Sequence, residues 1–274
     1  MPGFWLGPKA ATRGYRLHGY DTIGSTSSEA ARAAAAGDSG DVWFCALQQT
    51  EGRGRRGRAW ETAHGNLAAS LLVVPECDPA VSATLGFVAG VAMNRALRQL
   101  VPDALVKQGI DGADSPDARI ALKWPNDVLA DGAKLSGILL EAQRRPDGSM
   151  AVVIGMGVNV VAAPEGLPYP ATSLRALGYD ISADTIFAAL ADCWVDAVEL
   201  WDSGRGIPEI LSLWREAAAG IGSEVAVQRD GEVVRGVFET IDEAGRLIVR
   251  ANDNRRIAIT AGDVHFGGTA SVRN

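Results

Sequence analysis

The sequence predicts an α+β fold in which a mixed, largely antiparallel sheet packs with helices and is followed by a small β-barrel. Two features of the sequence carry this. The chain has 274 residues, 47% hydrophobic and 22% charged, which is ample for a real core and ordinary for a globular protein. Helix-periodic segments are interspersed with short buried strand runs up to about residue 218, and the pattern then changes to alternating strands.

The strand Tyr15 to Tyr20 leads into a helix, where Thr26 and Glu29 fit a capping box, the alanine-rich run Ala30 to Ala36 follows and Gly37 can take the left-handed stop. Val42 to Gln48 and Leu67 to Val74 read as buried strands. The polar, glycine-spaced stretch Gln49 to Asn66 between them is long for a connection, and such loops are often functional. Leu85, Val88, Ala89, Ala92, Ala96 and Leu97 recur at helical spacing within 80–101. Gln108 to Arg119, rich in Asp, Gly, Ser and Pro, reads as a surface loop. Strands follow at Ile120 to Trp124, Ser136 to Gln143 and Ala151 to Val160, the last two joined by the turn Pro146, Asp147, Gly148 into an antiparallel hairpin. The proline-rich and glycine-rich loop Ala162 to Ser173 leads to helices over Ser182 to Asp202 and Ile207 to Ala218. The helices are expected on one side of the sheet. Ser223 to Phe266 alternates apolar and polar residues in runs broken at Asp230-Gly231, Ala244-Gly245 and Asn252-Asp253-Asn254. The boundary falls near Gly220 to Ser223, giving domains of 1–220 and 221–274.

A net charge of −7 creates no global field for nucleic acid or anionic lipid, so any basic site must be local. Cys45, Cys77 and Cys193 build neither a disulfide framework nor a zinc knuckle, which points to a reducing, cytoplasmic compartment. No signal-peptide core is evident, and no segment approaches the roughly 20 apolar residues of a spanning helix. His18, His64 and His265 show no metal-ligand spacing, and there is no GxSxG elbow and no Gly-Lys dipeptide for a Walker loop.

Three motifs remain. Gly52 to Trp60, GRGRRGRAW, sets four guanidinium groups on a glycine-rich backbone. It reads as an anion-binding loop, a solvated basic loop or an RGG-like nucleic-acid contact; guanidinium forks match phosphate or carboxylate. Lys123 to Asp127, KWPND, ends a strand in a proline turn and reads as an Asx turn or part of a site. It is followed by Lys134 to Leu139, KLSGIL, with Gly137 inside a strand where a ligand or backbone approaches closely. Gly155 to Val160, GMGVNV, superficially matches a dinucleotide fingerprint but lacks the third glycine and the following helix.

Taken in order and spacing, Ser25-Thr26-Ser27, Gln49 with GRGRRGRAW, KWPND, KLSGIL and GMGVNV closely resemble the catalytic module of biotin protein ligases. The resemblance runs from about Tyr15 to Val160 and continues through Ala171-Thr172-Ser173-Leu174 to the C-terminal barrel. It implies a class II synthetase-like biotin/lipoate ligase domain with an SH3-like barrel behind it. It also implies that biotin and ATP, with Mg2+, give biotinyl-adenylate, and that a lysine of a biotin carboxyl carrier protein then takes the biotinyl group.

By the same resemblance, Lys134, Arg55 and Asp127 are the catalytic candidates, Asp127 meeting the acceptor lysine. Ser25, Thr26, Ser27, Gln49, Gly52, Arg53, Arg55, Lys134 and Gly137 would bind biotin. Arg53, Arg55, Arg58, Trp60, Asn126, Lys134 and Asn159 would bind ATP and the adenylate, and the metal would arrive with the phosphates. Ser27 stands where the family often has asparagine, and Gln48 is the alternative to Gln49. About fifteen residues precede the first strand, so no DNA-binding repressor is expected; nor is a membrane partner, and a monomer or weak homodimer is. The competing readings are a lipoate or octanoate ligase and an RNA-binding module using the arginine loop.

Overall fold

The computed structural model describes residues 3–101, 119–229 and 232–266. The surface loop expected at Gln108 to Arg119 lies outside them except for Arg119, as does the turn at Asp230-Gly231.

After the short helix α1 (Pro8–Thr12), the chain builds a parallel pair of strands across a helix, namely β1 (Arg16–Ile23), α2 (Thr26–Ala35) and β2 (Val42–Gln49). Ser25, not Thr26, caps α2: its hydroxyl accepts from the N–H of Ser28 at 3.3 Å, while the Thr26 hydroxyl is taken by Gln49 and Ser70. Gly37, at φ +87°, provides the expected left-handed stop.

There follow β3 (Leu67–Val73), α3 (Pro79–Ser82), α4 (Leu85–Leu100), β4 (Ile120–Lys123), β5 (Asp127–Ala130), β6 (Ala133–Arg144) and β7 (Met150–Val158). The strands form a seven-stranded sheet in the order β1-β2-β3-β7-β6-β5-β4, antiparallel apart from β1-β2. The β6-β7 hairpin is as expected. β5 was not: KWPND is the turn of a second tight hairpin in which Lys123 pairs with Asp127. The long helices α5 (Ala183–Trp201) and α6 (Ile207–Glu216) complete this layer.

Helices cover both faces of the sheet, not one. Val42, Phe44, Leu72, Ala151 and Val153 pack on Ala30 and Ala34 of α2, while Trp43, Cys45, Leu71, Val152 and Ile154 enter the core built with α4, α5 and α6. Successive residues of β2 thus serve opposite faces, so an uninterrupted apolar run conceals a two-sided strand. The stretch Pro79–Leu100 is long and apolar enough by composition to cross a membrane, contrary to expectation, but most of it is buried within this core.

Beyond α6 the chain runs along the outer edge of β4, with Leu122 bonding Ala217 and Ala219 through its backbone at 2.7 Å each. It then forms β8 (Glu224–Arg229), β9 (Glu232–Ile241), β10 (Leu247–Arg250), β11 (Arg256–Ile259) and β12 (Asp263–Phe266), an antiparallel sheet in the order β11-β10-β9-β8-β12. The second sheet is tied to the first layer: the Trp124 indole N–H donates to the Gly245 carbonyl at 3.0 Å, and Arg215 Nε of α6 to that of Ile241 at 3.0 Å. Gly245 has φ +73°, and a Cβ there would lie 2.4 Å from the Phe87 ring, so side chain and backbone conformation both require glycine.

One buried side chain fixes the loop after β7. Asn66 Oδ1 accepts from the N–H groups of Val160, Val161 and Ala162 at 2.9, 2.8 and 3.3 Å, and its amide donates to the Ala162 carbonyl at 2.8 Å. Asn66→Ala leaves these donors without their acceptor and is expected to cost about 2 to 3 kcal/mol, read as a lower urea midpoint at unchanged slope. An unchanged midpoint would show that the loop is held by other contacts.

Candidate functional site

Where α2 begins, the sheet face it covers elsewhere is left almost bare. Along that face stand Ala68 and Ser70 of β3, Gly155 and Gly157 of β7 and Gly137 of β6, and above them lies a cavity of about 680 Å³. The small residues are required by what rests there. A Cβ at Gly157 would lie 2.5 Å from the Trp60 ring, one at Gly137 3.0 Å from it, and one at Gly155 2.9 Å from Ser27 Oγ. GMGVNV is thus part of a strand floor and not a dinucleotide turn.

One end of the cavity is neutral and polar. Gln49 Oε1 accepts from the N–H and hydroxyl of Thr26 at 2.8 and 3.0 Å; the Thr26 hydroxyl lies 2.8 Å from Ser70 Oγ, which lies 3.0 Å from Ser27 Oγ. This chain of hydroxyls and an amide suits an uncharged group that both donates and accepts. Gln49 lines the cavity, whereas the Gln48 side chain accepts from the Thr22 hydroxyl at 3.3 Å.

The other end is cationic. Lys134 Nζ meets Asp127 Oδ1 at 2.6 Å, with side chains only 16% and 19% exposed. Lys134 also lies 5.5 Å from the ring centres of Trp60 and Tyr169. Asn126 bridges two elements, accepting from Arg55 at 3.0 Å and donating to the Ile138 carbonyl at 2.6 Å. Burial pulls the Arg55 guanidinium below its ordinary pKa, opposed by the Asp263 carboxylate. Burial likewise lowers Lys123, opposed by Asp127 and reinforced by Lys134.

The arginine loop is a small hairpin, closed by Trp60 N–H to the Gly52 carbonyl at 2.9 Å and Gly54 N–H to that of Arg58 at 2.8 Å. A Cβ on Gly52 would lie 2.3 Å from the Trp60 carbonyl oxygen, so this glycine closes the hairpin and does not line the cavity. Arg53 reaches Glu141 at 3.5 Å, and Arg56 and Arg58 converge on Asp263 at 3.2 and 3.0 Å.

Of the residues singled out in the sequence, Thr26, Ser27, Gln49, Arg53, Arg55, Arg58, Trp60, Asn126, Asp127, Lys134 and Gly137 line this one cavity. Three do not. Ser25 caps α2, Gly52 closes the hairpin, and the buried Asn159 donates to the Thr172 carbonyl at 3.1 Å. Lining residues not singled out in the sequence include Ser70, Tyr169 and, from the second sheet, Gln228, Asp263, His265 and Phe266. Ser70 had a signal, a hydroxyl inside the apolar run 67–74. Asp263 had none, lying 205 residues from Arg58. Among the described residues no group of three or more His, Cys, Asp or Glu side chains is gathered to hold a metal ion.

Asp263→Asn removes the carboxylate shared by Arg56 and Arg58. Partly exposed ion pairs contribute little each, so tryptic cleavage after these arginines in the ligand-free protein is expected to quicken only about two- to fivefold. An unchanged rate would show that Asp263 does not hold the loop.

Comparison with known proteins agrees with this geometry. Residues 37–159 match the biotin/lipoate A/B protein ligase family, and residues 220–267 the biotin protein ligase C-terminal domain. A biotin--[acetyl-CoA-carboxylase] ligase of Paracoccus denitrificans is 36% identical over 250 residues, covering 89% of this chain and 98% of its own. One from Mycobacterium tuberculosis is 35% identical, covering 88% and 85% respectively. The fold is shared with the biotin protein ligase of Aquifex aeolicus solved with biotin and ATP, at a TM-score of 0.71 and 22% identity over 92% of this chain and 98% of that one. With its SH3-like C-terminal unit, the chain belongs to the biotin protein ligase family.

Proposed function

We propose that this protein activates biotin with ATP to biotinyl-5'-AMP, releasing pyrophosphate, and transfers the biotinyl group to a lysine of a biotin carboxyl carrier protein. The observation that carries the reading is that a neutral hydroxyl-and-amide floor and a cluster of cations share one cavity, with Lys134 facing it. In the first step the biotin carboxylate attacks the α-phosphorus and pyrophosphate leaves. Two anions must approach, so positive charge fixed where negative charge develops lowers the barrier. Lys134, Arg55, Arg53 and Arg58 supply it. Thr26, Ser27, Gln49 and Ser70 are the partners proposed for the ureido head of biotin, and Trp60 and Asn126 for the nucleotide.

In the second step a neutral lysine amine attacks the acyl carbonyl, AMP leaves, and Asp127 meets the incoming amine and its proton. Magnesium enters as the complex of the ATP phosphates, which suits an ion that keeps most of its waters. Residues 1–220 are assigned to catalysis and 221–274 to a small domain that completes the cavity wall. The acceptor is the carrier domain of a biotin-dependent carboxylase, and the compartment is the cytoplasm. The arginine side chains are engaged with Asn126, Glu141 and Asp263 beside a cavity, which disfavours an RNA-binding display.

ATP–pyrophosphate exchange run with biotin, lipoate and octanoate tests the reading. Biotin-dependent exchange is expected, with the other two acids at background. Exchange with lipoate or octanoate alone would move the protein to the sister activity, and no exchange in a folded sample would overturn the enzyme.

A further inference from the structure

Lys134 is held in two different ways. Asp127 holds the ammonium by neutralising it, at 2.6 Å. The rings of Trp60 and Tyr169, each centred 5.5 Å from Nζ, attract it through their π-faces without cancelling its charge. An anionic substrate competes with the first kind of contact and not with the second.

Trp60 belongs to a family-like motif; Tyr169 belongs to none of the motifs read from the sequence. Its placement is nonetheless over-determined. The next residue, Pro170, accepts from the backbone N–H of Lys134 at 2.9 Å, and Thr172 N–H donates to the Lys134 carbonyl at 2.9 Å, so the loop forms a parallel bridge with the lysine itself. Asn159 secures the Thr172 carbonyl at 3.1 Å, and Asn66 secures the loop's first turn through Val160, Val161 and Ala162. The segment that carries the ring is therefore joined through its backbone to the strand residue that carries the ammonium.

We propose that Tyr169 is a positioning residue for Lys134, its ring fixing the direction from which the ammonium meets the reacting carboxylate and phosphate. A lysine side chain has four rotatable carbons and loses much rotamer freedom when held. Prepositioning by neutral rings spends that entropy before the reaction, so the benefit falls on the chemical step and not on substrate binding. The proposal rests on the reading of Lys134 as the adenylating lysine.

The test is biotin-dependent pyrophosphate exchange by full-length Tyr169→Leu and Tyr169→Phe, with thermal melting to confirm folding. Loss of one ring face is expected to lower kcat about 3- to 10-fold in Tyr169→Leu, from the usual strength of such contacts, with KM for biotin and ATP within about twofold. Tyr169→Phe keeps the face and is expected to recover kcat. A wild-type kcat in Tyr169→Leu, equal losses in both variants, or a loss wholly in KM would overturn the proposal. Lys134→Ala in the same assay separates the two levels. Its inactivity beside a wild-type Tyr169→Leu rejects the positioning role alone, whereas full exchange in Lys134→Ala rejects the lysine reading beneath it.

Discussion

The contact between Lys134 and Asp127 is the constraint around which the site is arranged. Two charges 2.6 Å apart and largely out of water cost desolvation that their attraction only partly returns, so such a pair is a poor device for stability. In the proposed reaction it sets side by side, in one cavity, a cation for the anionic substrates and a carboxylate for the acceptor amine. The rest of the site repeats the solution: Arg56 and Arg58 share Asp263, Arg53 reaches Glu141, and Arg55 leans on the neutral amide of Asn126. A chain of net charge −7 thereby assembles a local positive field whose counter-charges come from three different strands.

The cavity exists because side chains have been removed from one half of one sheet face. Under α2 that face carries Val42, Phe44, Leu72 and Val153; a few residues further along the same strands it carries Ala46, Ala68, Gly155 and Gly157. The opposite face compensates with a dense core, in which Trp43 meets the rings of Phe187 and Trp194 edge-on. Stability and chemistry are thus divided between the two sides of the same strands. The second sheet adds to both, covering the far side of the cavity with β12 and anchoring itself through Trp124, whose neighbours in KWPND face the chemistry.

Much of this was legible in the sequence, and what was not has physical causes. GRGRRGRAW was open to reading as an anion-binding loop, whereas KWPND and KLSGIL alone showed only a turn and a close approach; their order and spacing pointed to one site, and residues of all three line the cavity. The hairpin of β4 and β5 escaped because four-residue strands give too few periods to read, and its turn looked like the end of a strand. The two-sided burial of the sheet escaped because continuous apolar runs have no alternation. The cap of α2 was misplaced by one residue because Ser25 and Thr26 are equally good caps, and only the tertiary contact with Gln49 and Ser70 decides between them. Asp263 and Tyr169 escaped because their importance is conferred entirely by distant partners.

The division of labour within the central pair is the claim most directly open to measurement. Asp127→Asn removes the counter-charge but leaves the Lys134 ammonium in place, so single-turnover quench analysis should find adenylate formation within a few-fold of wild type. Transfer to the carrier lysine should then be slower by at least about 100-fold, the lower end of the usual range for loss of a general base. Equal losses in both half-reactions would contradict the account, because Asp127 would then be needed to hold Lys134 for adenylation and not to receive the acceptor amine.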